Sequence, residues 1–279
     1  MKILVTGAAG YLGVGVVKAL CDMGAEVIAA DIDTARVDRR ATLINGNVFD
    51  MENPYEQLGK PDVLLHMAYR NGFVHNADSH IEDLPRHYAF IKAFADNGCR
   101  ICAMGSMHEI GFIEGKIDEN TPCKPLSYYG IAKNALRGMC EILCNQAGVP
   151  LQWLRGYYIV GDSAAGNSIF AKIVAAAAEG KKEFPFTTGK NKYDFLDYND
   201  FCLQVAAAAM QDKVCGIINI CSGQPVALCD RVERFIAEQG YDIKLLYGVY
   251  PDRPYDSKEV WGDSGRIAQI MQEVSNGSN

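Results

Sequence analysis

The sequence predicts an α/β protein: a doubly wound parallel sheet with a small C-terminal lobe. Three observations carry this reading. Short apolar runs alternate with segments of helical spacing, the runs are continuous rather than alternating in polarity, and a glycine-rich turn follows the first of them. Strands buried on both faces have that continuous character, and helices between them imply parallel pairing with right-handed crossovers.

The first run is KILVT (residues 2–6), followed by GAAGYLG and then Leu12, Val16, Val17 and Leu20 at helical spacing. AEVIAAD (25–31), ATLINGNV (41–48), PDVLLHMA (61–68), CRICAMGS (99–106) and LQWLRGYYIV (151–160) read as further strands. The clearest helix spans Tyr129 to Gln146, with Ile131, Ala132, Ala135, Leu136, Met139, Ile142 and Leu143 on its apolar face; Gly148 and Pro150 end it. After residue 161 the alternation loosens into an alanine-rich helix, a polar connection and a last set of elements ending near Met271, with SNGSN as a frayed tail. The expected division is a core over 1–161 and a lobe over 162–279, some of whose segments return to the core.

Bulk properties exclude some classes of function. The chain has 279 residues, 49% hydrophobic and 22% charged, and a formal net charge of −7. Such a surface does not attract nucleic acid or an anionic membrane, so small molecules are the expected partners. The ten cysteines sit mostly inside apolar runs, and the CxxC at Cys99 and Cys102 has no second pair, so no metal is expected. No apolar run reaches the roughly 18 residues of a membrane span. Glycine spacing explains the apolar N-terminus better than a signal peptide does, and the expected location is the cytoplasm.

Gly7, Gly10 and Gly13 keep a GxxGxxG spacing between a strand and its helix. That context fits a dinucleotide-binding Rossmann fold. Gly7 permits a tight turn, Gly10 lets N–H groups approach a pyrophosphate, and Gly13 lets helix and strand pack closely. Tyr11 and Leu12 belong to the same cradle. Asp31, with Ile32 after it, ends the second strand where a carboxylate accepts from ribose hydroxyls and repels a 2′-phosphate, favouring NAD. Arg36, Arg39 and Arg40 leave NADP as the alternative.

Tyr129 lies four residues before Lys133, on one helix face; Tyr128 points elsewhere. A phenol titrates near 10, too high for acid–base work at neutrality, and a neighbouring ammonium lowers it. Reaching ~7 takes about 4 kcal/mol of differential interaction, which Lys133 and a positive nicotinamide ring together supply in a dry cleft.

GAAGYLG, DVLLHMA, AMGSMHEIG, DENTPCKPLSYYGIAK, LRGYYIVG, YDFLDYND and IINICSGQPV stand in the order and spacing of the extended short-chain dehydrogenases/reductases. That group is the NAD-dependent epimerase/dehydratase family, and the resemblance runs from Met1 to about Asp263. It implies a triad of Ser106, Tyr129 and Lys133, with Ser106 on the substrate oxygen, Tyr129 passing the proton and Lys133 also on the nicotinamide ribose. It further implies Asn47 and Val48 at the adenine, Met67, Ala68 and Tyr69 along the cofactor's middle, and Tyr157 beside the nicotinamide. Arg253 matches the family's arginine that meets a nucleotide diphosphate; Tyr158, Asn167 and His108 are further candidate substrate residues, His108 either as an extra acid or base or as a hydrogen-bonded wall residue.

The sequence also departs from the family. Met107 and His108 replace the Asp-Glu of its dehydratases, which argues against loss of water. Tyr158 replaces an asparagine and Tyr193 an arginine. The implied activity is hydride transfer at a secondary alcohol or ketone of a nucleotide-activated sugar, as in a 4-ketoreductase of a 4-keto-6-deoxyhexose. Alternatives are a 4-epimerase and a non-catalytic dinucleotide sensor. A homodimer through residues 80–97 and 129–146 is the implied assembly.

Overall fold

A computed structural model describes residues 1–162, 168–252 and 256–277. In chain order the elements begin with β1 (Lys2–Thr6), α1 (Tyr11–Asp22), β2 (Glu26–Asp31), β3 (Thr42–Asn45), α2 (Pro54–Gln57), β4 (Val63–His66), α3 (Ser79–Glu82), α4 (Leu84–Ala95), β5 (Arg100–Ser106) and β6 (Gly115–Ile117). They continue with α5 (Tyr128–Ala147), β7 (Leu151–Gly156), β8 (Tyr158–Val160), α6 (Ile169–Ala178), β9 (Glu183–Pro185), β10 (Lys192–Asp197), α7 (Tyr198–Ala209) and β11 (Gly216–Ile220). The last are β12 (Pro225–Ala227), α8 (Leu228–Glu238), β13 (Lys244–Leu246), β14 (Glu259–Gly262) and α9 (Gly265–Gly277).

The main sheet has the order β11-β7-β5-β4-β1-β2-β3, and its pairings are parallel. The order reverses between β1 and its neighbours, and ligands of such sheets bind at that crevice, beyond the strands' carboxyl ends. Side chains along β1 alternate between two cores. Ile3 and Val5 join α1, α7 and α9 on one face, while Leu4 joins α4 and α5 on the other. A fully buried leucine such as Leu4 stabilises the fold by ~2 kcal/mol.

A second sheet, β12-β10-β14-β6 with β8 on β10, lies over a third apolar cluster that includes Tyr157, Phe170 and Phe195. β6 and β8 precede residue 161 yet pair in this sheet, whereas β11 follows it and pairs in the main one. The run expected as one strand over 151–160 is two: β7 pairs with β5 and β11, then the chain passes Tyr157 and β8 pairs with β10. Both sheets bury their strands, so the apolar run continues through the change of sheet.

Two further expectations change. The strand over 41–48 stops at Asn45, because Asn47 caps a 3-10 turn over Val48–Asp50. On α5 the buried side is Ala132, Lys133, Leu136, Cys140, Leu143 and Cys144, and Ile131 and Ile142 face outward. Helical spacing alone could not exclude those two isoleucines from the face.

Candidate active site

The glycine turn after β1 is built by close backbone approach. Gly7 has φ +69°, and a Cβ there would lie 2.7 Å from the Ala68 nitrogen at the end of β4. At Gly13 a Cβ would lie 2.1 Å from the Gly7 carbonyl oxygen. Gly10 caps α1 without a side-chain hydrogen bond, and the first bond to close is Val14 N–H to Gly10 C=O at 3.2 Å. The N–H groups of Tyr11, Leu12 and Gly13 therefore stand at the positive end of the helix, where a pyrophosphate is stabilised.

Asp31 closes the other side. Its Oδ2 accepts Ala9 N–H at 2.9 Å and its Oδ1 accepts Ile32 N–H at 2.7 Å, which fixes the carboxylate against the glycine turn. Arg36 donates to the Ala9 carbonyl at 3.0 Å, and Arg40 pairs with Asp22 and Asp38. Ile32 is exposed, Val48 is buried, and Asn47 bonds Phe49 N–H and the Asp50 carboxylate. Met67 and Ala68 both donate their N–H groups to Thr6 Oγ1, at 3.2 and 3.3 Å. This cradle, open donors facing a carboxylate across bare glycines, fits a dinucleotide.

Ser106 ends β5 and caps a 3-10 turn over Met107–Glu109: its Oγ accepts His108 N–H, and its own N–H bonds Glu109. Ser106 also acts on the Tyr129 phenol, favouring its charged form. Lys133, one turn further on α5, is buried; its Nζ donates to the Met104 carbonyl at 2.8 Å, 3.8 Å from the Tyr69 ring centroid and 5.9 Å from that of Tyr129. The structure thus brings the three triad residues together at the ends of β5 and α5.

The expected depression of the phenol counts the positive nicotinamide ring together with Lys133, and the cofactor-free chain shows the balance without that ring. Burial pushes Tyr129 up to about 12, against the pull of Ser106, and pushes Lys133 down to about 8. Desolvation penalises both charged forms, and the ammonium is engaged by Met104 and Tyr69. The cofactor-free chain therefore keeps Tyr129 protonated at neutral pH.

The segment between β4 and α3 holds the start of α5. The His75 carbonyl accepts Tyr129 N–H at 2.8 Å, Asn76 Oδ1 accepts Tyr128 N–H at 3.2 Å, and Ser127 Oγ accepts Gly130 N–H at 3.2 Å. The His75 ring stacks on Tyr129 at 5.4 Å, and His108 stands edge-on to both. Burial holds His108 down at about 4 and lowers His75, so both are neutral imidazoles at pH 7.

Tyr157 is buried in the third apolar cluster. Tyr158 packs at 4.8 Å from Tyr193 and 5.8 Å from Phe195. Asn167 and Arg253 lie outside the described residues.

Sequence reading missed several contributors. Tyr198 donates to the Tyr11 carbonyl at 2.6 Å and accepts Gly15 N–H at 3.1 Å, bracing the first turn of α1. Its distance along the chain left no signal. Glu109 did leave one: Ser106-Met107-His108-Glu109 is the S-x-x-E pattern of a capping box. Thr6 and His75 carry no local signature.

Residues 3–221 match the NAD dependent epimerase/dehydratase family. The dTDP-6-deoxy-L-talose 4-dehydrogenase (NAD(+)) of Aggregatibacter actinomycetemcomitans is 42% identical over 269 residues, covering 94% of this chain and 99% of the relative. The UDP-glucuronic acid 4-epimerase of Bacillus cereus, solved with UDP-glucuronic acid and NAD, superposes with a TM-score of 0.79 at 20% identity over 98% of this chain and 93% of that one. The UDP-glucose 4-epimerase of Thermotoga maritima, solved with UDP-glucose, gives a TM-score of 0.79 at 19% identity over the whole of both chains. At those identities the two structures establish the shared fold. From the glycine cradle, the serine, tyrosine and lysine gathered beside it, and a family match over most of its length, the chain belongs to the NAD dependent epimerase/dehydratase family.

Proposed function

We propose that this protein is an NAD-dependent oxidoreductase that transfers hydride at a secondary alcohol or ketone of a nucleotide-activated sugar, with the 4-position of a 6-deoxyhexose as its site of action. The observation that carries the reading is the buried Lys133 ammonium one turn from Tyr129, 5.9 Å from its ring centroid and bonded to β5, the strand that Ser106 ends, with the glycine cradle alongside. The name of the relative from Aggregatibacter actinomycetemcomitans gives the substrate class.

NAD, when bound, gives or takes the hydride. Gly7, Gly10, Tyr11, Leu12 and Gly13 hold its pyrophosphate, Asp31 and Ile32 its adenosine ribose, and Asn47 and Val48 its adenine. Met67, Ala68 and Tyr69 line its middle, and Lys133 and Tyr157 its nicotinamide end. In the reductive direction Ser106 Oγ holds the carbonyl oxygen. Tyr129 O–H, kept protonated by burial, delivers a proton to that oxygen as negative charge grows on it. The Lys133 ammonium stabilises the phenolate left behind. His108, a neutral imidazole, hydrogen-bonds a sugar hydroxyl rather than acting as a charged acid, and Tyr158 is a further substrate residue; Asn167 and Arg253 are assigned to the substrate by the sequence resemblance alone. The core over 1–161 carries the cofactor and the rest mainly the sugar.

Two further readings accompany this one. Ile131 and Ile142 on α5 and Tyr88 on α4 are exposed, which supports a homodimer through these helices. The ten cysteines are free, in keeping with a reducing cytoplasm, and among the described residues no helix is long and apolar enough to cross a membrane.

The test is NADH oxidation with a nucleotide-linked 4-keto-6-deoxyhexose: one NADH is consumed per ketone, and Tyr129→Phe slows the reaction ~100-fold or more. Interconversion of two stable sugars without added cofactor, and no NADH oxidation, would overturn it.

A further inference from the structure

Glu109 is a fully buried carboxylate directly behind Ser106. It accepts Ser106 N–H at 2.6 Å and Trp153 Nε1–H at 3.0 Å on each oxygen. Space for it is made by Gly105, where a Cβ would lie 2.2 Å from Trp153 Nε1 and 2.6 Å from Glu109 Oε1. Its counterion, the equally buried Arg155, stands 3.5 Å away, and Arg155 Nε and Nη2 complete no hydrogen bond among the described residues. Capping a three-residue turn does not call for a buried charge, whose desolvation costs several kcal/mol. Arg155 is the near partner of Glu109, and further charged groups lie within reach of its field.

Those neighbours are the machinery of the site. Arg155 on β7 stands 3.5 Å from the carboxylate, and the charge of Glu109 acts through space on Lys133 and Tyr129 of α5 and on Tyr157 beyond β7, while burial raises Glu109 itself against the pull of Arg155, the Ser106 N–H, Trp153 and Lys133. β5 ties the two ends together: Met104 C=O receives Lys133 Nζ, and two residues later Ser106 N–H meets Glu109. We infer that Glu109 is a positioning residue for the triad, clamping Ser106 from behind through its backbone and supplying the negative charge that the Lys133 ammonium faces. This rests on the proposed function.

The experiment is E109Q, which keeps the size of the side chain and an acceptor for Ser106 N–H but removes the charge. kcat falls roughly tenfold with KM near that of wild type. The basic limb of the kcat profile moves down by about one pH unit, because an ammonium that has lost its anion gives up its proton earlier. E109D, which restores the charge, recovers the wild-type limb. Where E109Q fails to fold because Arg155 is left unpaired, the double variant E109Q/R155M removes both charges and shows the same fall and shift. A wild-type kcat and limb in either variant would show Glu109 to be only the counterion of Arg155 and would overturn the inference. Titration of the Lys133 side-chain 15N signal in cofactor-free protein gives a readout without turnover, with a lower midpoint in E109Q supporting the role and an unchanged one ending it. If the wild type turns over no sugar, the proposed function has failed and this titration still decides the role of Glu109.

Discussion

The Lys133 ammonium sits 3.8 Å from the centre of the Tyr69 ring and donates to the Met104 carbonyl. The ring's negative face stabilises the charged form of a buried amine that desolvation already holds down at about 8. The sign follows: removing the ring lowers the value further, so the ammonium is lost at a lower pH. A desolvated contact of this kind is worth ~2 kcal/mol, and about 1.4 kcal/mol corresponds to one pH unit. Tyr69→Leu should shift the basic limb of the kcat profile down by about one unit, and Tyr69→Phe, which keeps the ring, should leave it in place. Equal profiles for the two variants would contradict the contact.

Gly13 has no room for a methyl group, because the nearest atom is the Gly7 carbonyl oxygen, held by backbone. Gly13→Ala should cost ~1–3 kcal/mol of stability by overpacking and weaken NAD binding at least about tenfold. Thermal unfolding and a fluorescence titration with NADH measure both.

Asp31 ties the glycine turn to the end of β2 through Ala9 N–H. Asp31→Ala removes a charge-assisted bond worth ~1.5–3 kcal/mol and the repulsion of a 2′-phosphate, leaving Arg36 beside the turn. NAD affinity should drop roughly tenfold or more while NADP affinity holds or rises. Parallel dissociation constants for the two nucleotides check this, and an unchanged ratio would remove Asp31 from the ribose.

Ile142 is 62% exposed in the single chain. Ile142→Glu should leave the fold intact, since the side chain contributes little to the core of one subunit, yet convert the proposed homodimer into a monomer at micromolar concentration. Sedimentation velocity reads the outcome, and a dimer that survives the substitution would place the contact elsewhere.

Much of the site was legible locally. The GxxGxxG turn after KILVT, Asp31 closing the second strand, and Tyr129 four residues before Lys133 are spacings over a few residues, and backbone sterics and helical pitch turn them directly into positions. The run over 151–160 was legible as extended chain but not as two strands, because a buried run has the same composition on either side of a change of sheet. The helix over 129–146 was right in extent within a residue at each end, and wrong about Ile131 and Ile142, since which apolar residues a helix buries depends on what packs against it.

The sequence by itself determined the alternating architecture, the phosphate-binding turn and the tyrosine–lysine helix face. Tertiary structure alone decided that His75 stacks on Tyr129, that Tyr198 reaches Gly15 across 183 residues of chain, and that Glu109 and Arg155 lie buried behind Ser106. It also decided that burial pushes Tyr129 up to about 12 in the cofactor-free protein. Local sterics act within a few bonds of each residue, whereas desolvation and charge act through space, on whatever distant segments the fold brings alongside.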